Sequence, residues 1–128
     1  MYIRIFGGER TLMTLQTTTG RIVDIDQVFK ALSDPVRRSL LQTLGQKEYF
    51  CTFDGQPVQG ICVQDLTSLL ELPQSTISRH LAILRQCGLV GHKQRGVWHY
   101  YSCNEDTLEA VTDWLDSLRQ TQVEGATG

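Results

Sequence analysis

Two cysteines flank a stretch rich in turn-forming residues, and thiol pairs of this kind bind soft metal ions or form disulfides. Cys51 and Cys62 are separated by ten residues that include Pro57 and Gly60. A hairpin-like turn around Asp54-Gly55 would bring the two sulfur atoms close together. The pair is therefore a candidate sensor for an oxidant or for a thiolate-bound soft metal or metalloid ion. The alternative is that the two cysteines have no shared role.

The remaining chemistry-bearing residues indicate neither a zinc knuckle nor an enzyme. Cys87 and Cys103 complete the set of four cysteines, and no two of the four form a CxxC pair. We expect Cys87 to fill the core and Cys103 to have no sensing role. The sequence contains no HExxH motif, phosphate-binding loop or Ser-His-Asp order, and Asp65 and Glu71 are too isolated to act as an acid/base pair.

Positive charge is concentrated in one part of an otherwise acidic chain. The 128 residues have a net charge of −2, yet residues 72–103 contain no Asp or Glu. That stretch carries four basic residues and all three histidines, whereas the rest of the chain has 8 basic and 14 acidic residues. Such a distribution is typical of a polyanion-binding segment within an acidic body. Double-stranded DNA is therefore the expected partner.

Apolar residues recur at steps of three and four residues in five segments, which predicts a mainly α-helical protein. The predicted helices cover about 22–32, 35–44, 62–71, 74–87 and 105–119. Asp34 and Pro35 are suited to cap and begin the second helix. Two short strand-like runs, 90–94 and 97–102, flank Arg95-Gly96 and predict a β-hairpin with a basic tip.

The chain is expected to form one principal domain. We assign 1–20 to a flexible N-terminal arm or short irregular segment, 21–120 to the folded domain and 121–128 to a frayed tail. No apolar run is long enough to cross a bilayer, and the N-terminus lacks the features of a signal peptide. A cytoplasmic protein without a membrane partner is the expectation.

Two short helices, a tight break and a basic hairpin together predict a winged helix-turn-helix, about five helices plus a two-stranded wing. The second helix of such a pair enters the major groove, and the wing contacts the neighbouring backbone or minor groove. Ser, Thr, Gln and Arg can bind base edges and phosphates. The predicted DNA contacts are Gln74, Ser75, Thr76, Ser78, Arg79 and His80 on the helix, and Lys93 and Arg95 on the wing. The lone wing histidines, His92 and His99, are expected to be solvated.

The segments "VFKALSDPVRRSLLQTL", "CVQDLTSLLELPQSTISRHLAILRQCGLV" and "RGVWHYYSCN" resemble the ArsR/SmtB family of bacterial winged-helix repressors over about residues 24–119. The resemblance implies a homodimer paired through its first and last helices, a palindromic operator, and an inducer that releases the DNA. The implied dimer interface includes the apolar residues Val28, Phe29, Leu108, Val111, Trp114, Leu115 and Leu118.

The family's metal sites match this chain poorly. Arsenite-responsive members often carry "CVCDLC" at the start of the third helix, where this chain reads "CVQDLT". Cys62 matches the first cysteine, but Gln64 and Thr67 replace the other two, so this helix alone cannot supply three thiolates. Zinc-responsive members use histidines and carboxylates on the final helix, and residues 105–119 contain no histidine. The resemblance thus implies neither of these sites.

The sequence predicts a DNA-binding transcriptional regulator, a homodimeric repressor released by a thiol-reactive signal at Cys51 and Cys62. Amide donors at the start of the third helix would favour the thiolate form of Cys62. Two alternatives stay open. One is a regulator of the same family without cysteine sensing, and the other is a winged-helix module that binds proteins.

Overall fold

The computed structural model describes residues 2–7, 10–17, 20, 22–46, 51–53 and 55–119. In chain order the elements are β1 (Tyr2–Gly7), β2 (Arg10–Gln16), β3 (Ile22–Asp24), α1 (Ile25–Leu32), α2 (Pro35–Leu44), β4 (Cys51–Phe53), β5 (Gln56–Val58), β6 (Ile61–Cys62), α3 (Val63–Leu70), α4 (Gln74–Gln86), β7 (Val90–Arg95), β8 (Trp98–Cys103) and α5 (Glu105–Ser117). The predicted tail at 121–128 lies outside the described residues. The chain divides into two compact units, 1–25 with 105–128, and 26–104.

The first unit contains an antiparallel sheet that the sequence did not predict. Its strand order is β1-β2-β3, and β1 pairs with β2 from Tyr2 opposite Leu15 to Gly7 opposite Arg10. An irregular arm was predicted here, whereas two strands form because β-branched and aromatic residues fit a paired, pleated backbone. Helix α5 contacts β2. The last helix belongs to the same unit as the N-terminal strands, and the predicted domain bounds of 21–120 stay a prediction.

Helix α2 of the second unit begins as the sequence predicts. Asp34 has an extended backbone, and its Oδ1 accepts hydrogen bonds from the amides of Val36 at 2.7 Å and Arg37 at 3.3 Å. Pro35 occupies the first helical turn, where its missing N–H costs nothing. These bonds satisfy amides that no intrahelical carbonyl can reach, so two consecutive residues, Asp34 and Pro35, fix the helix start.

Helices α2, α3 and α4 surround the core of the second unit. They contact one another pairwise, and α4 also contacts β7. Six large side chains are almost completely buried: Leu40, Leu66, Ile77, Leu81, Leu84 and Leu89. Burying a side chain of this size contributes about 1.5–3 kcal/mol, so this set is the main source of stability for the unit. Leu69, which the helical pattern placed inward, is instead 39% exposed.

The turn between α3 and α4 is short and sharply defined. Glu71 ends α3 in the left-handed region with φ 56°, and Pro73 precedes the first residue of α4. Since proline cannot continue a preceding helix, the chain must change direction between the two helices. This turn orients the exposed side of α4.

The hairpin β7–β8 carries a third strand. β6 pairs with the other side of β8, which gives the order β6-β8-β7, whereas the sequence predicted two strands. Ile61 lies opposite Tyr101 and Cys62 opposite Tyr100. The preceding segment, read as a loop, contains the small hairpin β4–β5 with Cys51 opposite Val58. With α3, the turn, α4 and β7–β8 in this order, the chain forms a winged helix-turn-helix, and its described residues contain five helices. No helix in the described ranges is long and apolar enough to span a membrane.

Candidate nucleic-acid interface

Helix α4 has one buried and one polar, exposed side. Ile77, Leu81 and Leu84 face the core, as the three- and four-residue spacing predicts. The predicted contact residues Gln74, Ser75, Ser78 and Arg79 are exposed, and Thr76 is half-buried. The exposed side therefore offers hydroxyl, amide and guanidinium groups, which can bind base edges and phosphates in a major groove.

The tip of the β7–β8 hairpin is the second basic feature of the interface. Lys93 and Arg95 are both exposed, and Arg95 pairs with Trp98 at the last register position before the turn. The Gln94 side-chain amide donates to the Gly96 carbonyl at 3.1 Å, which holds the turn from within. The predicted wing contacts are thus presented on an ordered hairpin.

His80 does not lie on the exposed side of α4. Its side chain is buried, and its Nδ1 atom lies 3.1 Å from Nη1 of Arg37. Because an arginine side chain can only donate, Nδ1 must accept, and the ring proton is on Nε2. Burial lowers the pKa of His80, Asp34 opposes that shift, and the charges of Arg37 and Arg79 lower the pKa further. A buried, uncharged ring is unsuited to phosphate binding, so the predicted DNA contact at His80 is not supported.

Arg37 connects three helices and was missed in the sequence. Its Nε donates to the carbonyl of Ala31 at 2.7 Å near the end of α1, while its Nη1 donates to His80 of α4. Arg37 itself belongs to the first turn of α2. The pattern "SDPVRR" gave no signal for this role, because His80 is 43 residues away in the chain and the other partner is a backbone carbonyl, which no residue type marks.

A groove lies between the hairpin and the helix-turn-helix, and we call it the hairpin groove. It encloses about 280 Å³. Its walls come from α3, α4, β7, β8 and the turn between the last two strands. The lining residues are Val63, Gln64, Gln74, Ser78, Arg85, His92, Val97, His99 and Tyr101. Two of them, Gln74 and Ser78, are predicted DNA contacts, so the groove is continuous with the exposed side of α4.

His92 and His99 form a pair within this groove. Nε2 of His92 lies 2.6 Å from Nδ1 of His99, and the two rings are stacked with centroids 4.9 Å apart. The ring of Tyr101 tilts against His92 with a centroid separation of 5.0 Å. The sequence predicted two separate, solvated histidines. They meet because the β7–β8 register places His92 opposite Tyr101 and His99 opposite Gln94. The two histidines are therefore diagonal neighbours on adjacent strands, within reach of each other's rings.

The candidate sensor cysteines are only partly covered by the structure. The backbone of Cys51 lies in β4, and its side chain is outside the described residues. Cys62 is buried where β6 leads into α3. The turn around Gly55 is the predicted hairpin, but the distance between the sulfur atoms stays a prediction. Within the described ranges, no three His, Cys, Asp or Glu residues form a cluster suited to a metal ion.

The other two cysteines are half-buried in the second unit. The Cys87 thiol donates to the Leu84 carbonyl at 3.3 Å, and burial raises the pKa of Cys87. The Cys103 thiol lies 3.6 Å from the Leu41 carbonyl. The position of Cys87 is compatible with the predicted packing role, and the expectation that Cys103 has no sensing role stays a prediction.

The residues expected at a dimer interface divide into two groups. Val28 and Val111 are buried within the single chain and have little surface to offer a partner. Phe29, Leu115 and Leu118 are exposed, while Leu108 and Trp114 are partly exposed. Exposed large apolar side chains of this kind are typical of protein–protein contact surfaces.

Comparisons with known proteins agree with this geometry. Residues 60–91, which contain α3, the turn and α4, match the sequence model of the bacterial regulatory protein, arsR family. A helix-turn-helix-type transcriptional regulator of Bacillus subtilis, YbzH, is 35% identical over 92 residues, covering 70% of this chain and 92% of that protein. The arsenical resistance operon repressor of the same organism is 34% identical over 86 residues, covering 67% and 71%. The solved structure of an ArsR-like transcriptional regulator from Rhodococcus has a TM-score of 0.59 at 26% identity, covering 73% of this chain and 75% of that one.

Proposed function

Because the chain belongs to the arsR family of bacterial regulatory proteins, which are DNA-binding transcriptional regulators and not enzymes, we propose that it is a homodimeric repressor of a palindromic operator. Helix α4 contacts the bases through Gln74, Ser75, Thr76, Ser78 and Arg79, and the β7–β8 hairpin contacts the flanking backbone through Lys93 and Arg95. The observation that carries this proposal is the exposed side of α4, whose polar residues stand directly opposite a fully buried apolar side.

The charge distribution supports DNA rather than protein as the macromolecular partner. Residues 72–103 include all of α4, β7 and β8 and contain no carboxylate side chain. A surface that neutralises phosphates releases counterions, so its affinity falls steeply as salt concentration rises. A protein-interaction module would show no salt-dependent affinity for any duplex.

The affinity of the protein for a duplex of its own upstream DNA, measured by fluorescence anisotropy at several salt concentrations, tests this proposal. We expect a linear fall of log affinity against log salt concentration, with a slope of about −0.9 for each phosphate contacted. A duplex of the same length and shuffled sequence is the control for specificity. Absence of salt-dependent binding to either duplex would favour the protein-interaction alternative.

Self-association is the second part of the proposal, and exposed apolar residues of the first and last helices support it. We expect sedimentation equilibrium to give a dimer, and Leu115→Asp to shift it towards monomer because a buried unpaired carboxylate is costly. Leu69→Asp is a matched control, since Leu69 is exposed to a similar extent on α3. A monomeric wild-type protein at concentrations that saturate the operator would contradict this part.

Release by a thiol-reactive signal is the third part, and the β4–β5 hairpin supports it by turning the chain back between Cys51 and Cys62. We expect oxidants or thiophilic ions to release the operator from the wild type but not from Cys51→Ser or Cys62→Ser. Cys87→Ser is the control, since Cys87 is half-buried and its pKa is raised by burial. An unaltered response in the Cys51 and Cys62 variants would favour a regulator without cysteine sensing.

A further inference from the structure

We propose that the hairpin groove binds a phosphate oxyanion of the DNA backbone, and that the His92–His99 pair strengthens this contact as the pH falls. The inference rests on the proposed DNA-binding function and adds a ligand site and a pH response to it. Its ligand is a phosphate group, and the site comprises Ser78 and Arg85 of α4 with the two imidazoles of the hairpin.

The lining of the hairpin groove suits an anion. Arg85 supplies a permanent positive charge, Gln64 and Ser78 supply neutral hydrogen-bond donors, and no carboxylate lines the groove. One end is shared with predicted contact residues of α4, and Val97 of the hairpin turn closes part of the wall. The hairpin groove and the exposed side of α4 therefore form one continuous surface. A duplex held by α4 and the hairpin tip would place one of its backbone phosphates on that surface.

The contact between the two histidines limits how many protons the pair can hold. With Nε2 of His92 only 2.6 Å from Nδ1 of His99, one of these two nitrogens must carry the hydrogen and the other must accept it. The pair can thus be neutral or carry one positive charge while the hydrogen bond persists. A second proton would place two N–H groups face to face, so the pair acts as a carrier of one charge.

In the free protein, the surroundings of His92 disfavour a positive charge on its ring. Burial lowers the pKa of His92, and the positive charges of Arg85 and His99 lower it further. The other ionisable group that lines the groove is Tyr101 of β8, while α3 contributes only Val63 and Gln64. Lys93, next to His92 on β7, is exposed and adds positive charge nearby. The free protein therefore disfavours a proton on His92 before DNA binds.

A bound phosphate reverses this balance. Its negative charge favours the imidazolium form and raises the pKa of the pair in the complex. The complex then binds more protons than the free protein at any pH between the two pKa values. By linkage, DNA affinity rises as the pH falls through this window and levels off below the lower pKa.

A metal ion is a less suitable ligand for the same pair. Two imidazoles alone give a weak site, and within the described ranges no third His, Cys, Asp or Glu completes a cluster. Arg85 also lines the groove, and its charge would repel a divalent cation. Both facts favour an anion.

The test is duplex affinity by fluorescence anisotropy at constant ionic strength, from about pH 8 to about pH 5. For one proton taken up, the wild-type affinity should rise by up to about tenfold per pH unit within the window. His92→Gln and His99→Gln should each flatten this rise. Tyr101→Phe is the matched control and should keep the rise, because it removes the other ionisable group that lines the groove and leaves the ring against His92 in place.

A second measurement needs no variant. NMR titration of the imidazole nitrogens of the wild-type protein should give a higher pKa for the His92–His99 pair with the duplex than without it. The same titration with inorganic phosphate replaces the backbone phosphate by a free anion. A pKa rise with inorganic phosphate but not with duplex would overturn the backbone assignment in favour of a small anionic ligand. A signal change that saturates with zinc chloride would overturn the anion site altogether.

The outcomes separate this inference from the proposed function. Duplex binding that is specific but independent of pH, or a pH response that persists in both His92→Gln and His99→Gln, overturns the groove site and leaves the regulator proposal intact. Absence of duplex binding at every pH overturns both.

Discussion

Arg37 and His80 join helix α2 to helix α4 through a hydrogen bond of 3.1 Å. The same arginine holds the carbonyl of Ala31, and its backbone amide donates to Asp34. One side chain thereby fixes α4 relative to the end of α1 and the start of α2. The position of the exposed residues of α4 depends on this link, since α4 carries the proposed base contacts.

The Arg37–His80 link predicts a loss of stability in mild acid. The pKa of His80 is lowered in the folded state, so the unfolded state binds more protons between that pKa and the unfolded value of about 6.5. The free energy of unfolding should therefore decrease as the pH falls through this window. Urea denaturation at several pH values measures it, and His80→Gln should show a smaller decrease.

Part of the decrease should persist in His80→Gln, because the pKa of His92 is lowered as well. Asp34 contributes separately: burial raises its pKa, but hydrogen bonds from the amides of Val36 and Arg37 outweigh this, so the net pKa is lowered. Its stabilising effect is lost only below about pH 4. Equal pH dependence in His80→Gln and the wild type would show that the link does not depend on a neutral ring.

Adding a single methyl group at Gly60 should lower the stability of the protein strongly. Its φ is +120°, and a Cβ atom there would lie 2.7 Å from the Tyr101 carbonyl oxygen across the β6–β8 pairing. Gly55 also has a positive φ, +77°, but no atom lies within 4 Å of the corresponding position. Gly55→Ala should cost about 1–3 kcal/mol in unfolding free energy from backbone strain alone.

Gly60→Ala should cost a further 1–3 kcal/mol or so because the backbone of β8 must also move. Since β8 forms half of the wing, we expect duplex affinity to fall in Gly60→Ala but not in Gly55→Ala. Thermal unfolding monitored by circular dichroism measures the difference. Equal unfolding temperatures for the two variants would mean that the β6–β8 approach is looser than the structure has it.

The helices could be predicted from the sequence because their signals are local. Asp34-Pro35 begins α2, the spacing of Ile77, Leu81 and Leu84 defines the buried side of α4, and Gly96 marks the hairpin turn. In their chain order these local elements predicted the winged helix-turn-helix, and the family resemblance added the homodimer, the palindromic operator and the inducer.

The long-range contacts could not be predicted in this way. His80 looked exposed because its partner Arg37 is 43 residues away in the chain. The His92–His99 pair depends on cross-strand register, and the pairing of β6 with β8 joins segments that are far apart in sequence. The N-terminal strands were not predicted because residues 1–20 show no clean periodicity and include the Thr-rich run "TLMTLQTTTG".

Replacing Arg95 should change the salt dependence of DNA affinity rather than the preference for one DNA sequence. It is exposed at the hairpin tip, and in the proposed docking it contacts phosphates of the flanking backbone rather than bases. Arg95→Ala should weaken binding to operator and shuffled duplexes by a similar factor and reduce the magnitude of the salt slope by about 1. Anisotropy titrations over a salt series measure both. A loss confined to the operator would instead mean that Arg95 reads bases.

Arg79 tests the central claim, that the exposed side of α4 reads the operator. We expect Arg79→Ala to lower affinity by about tenfold to a hundredfold in a gel shift on the protein's own upstream DNA. Arg119→Ala removes the same charge at an exposed ion pair with Asp116, and we expect it to bind as the wild type does. Unchanged operator affinity in Arg79→Ala would contradict the docking of α4 in the major groove.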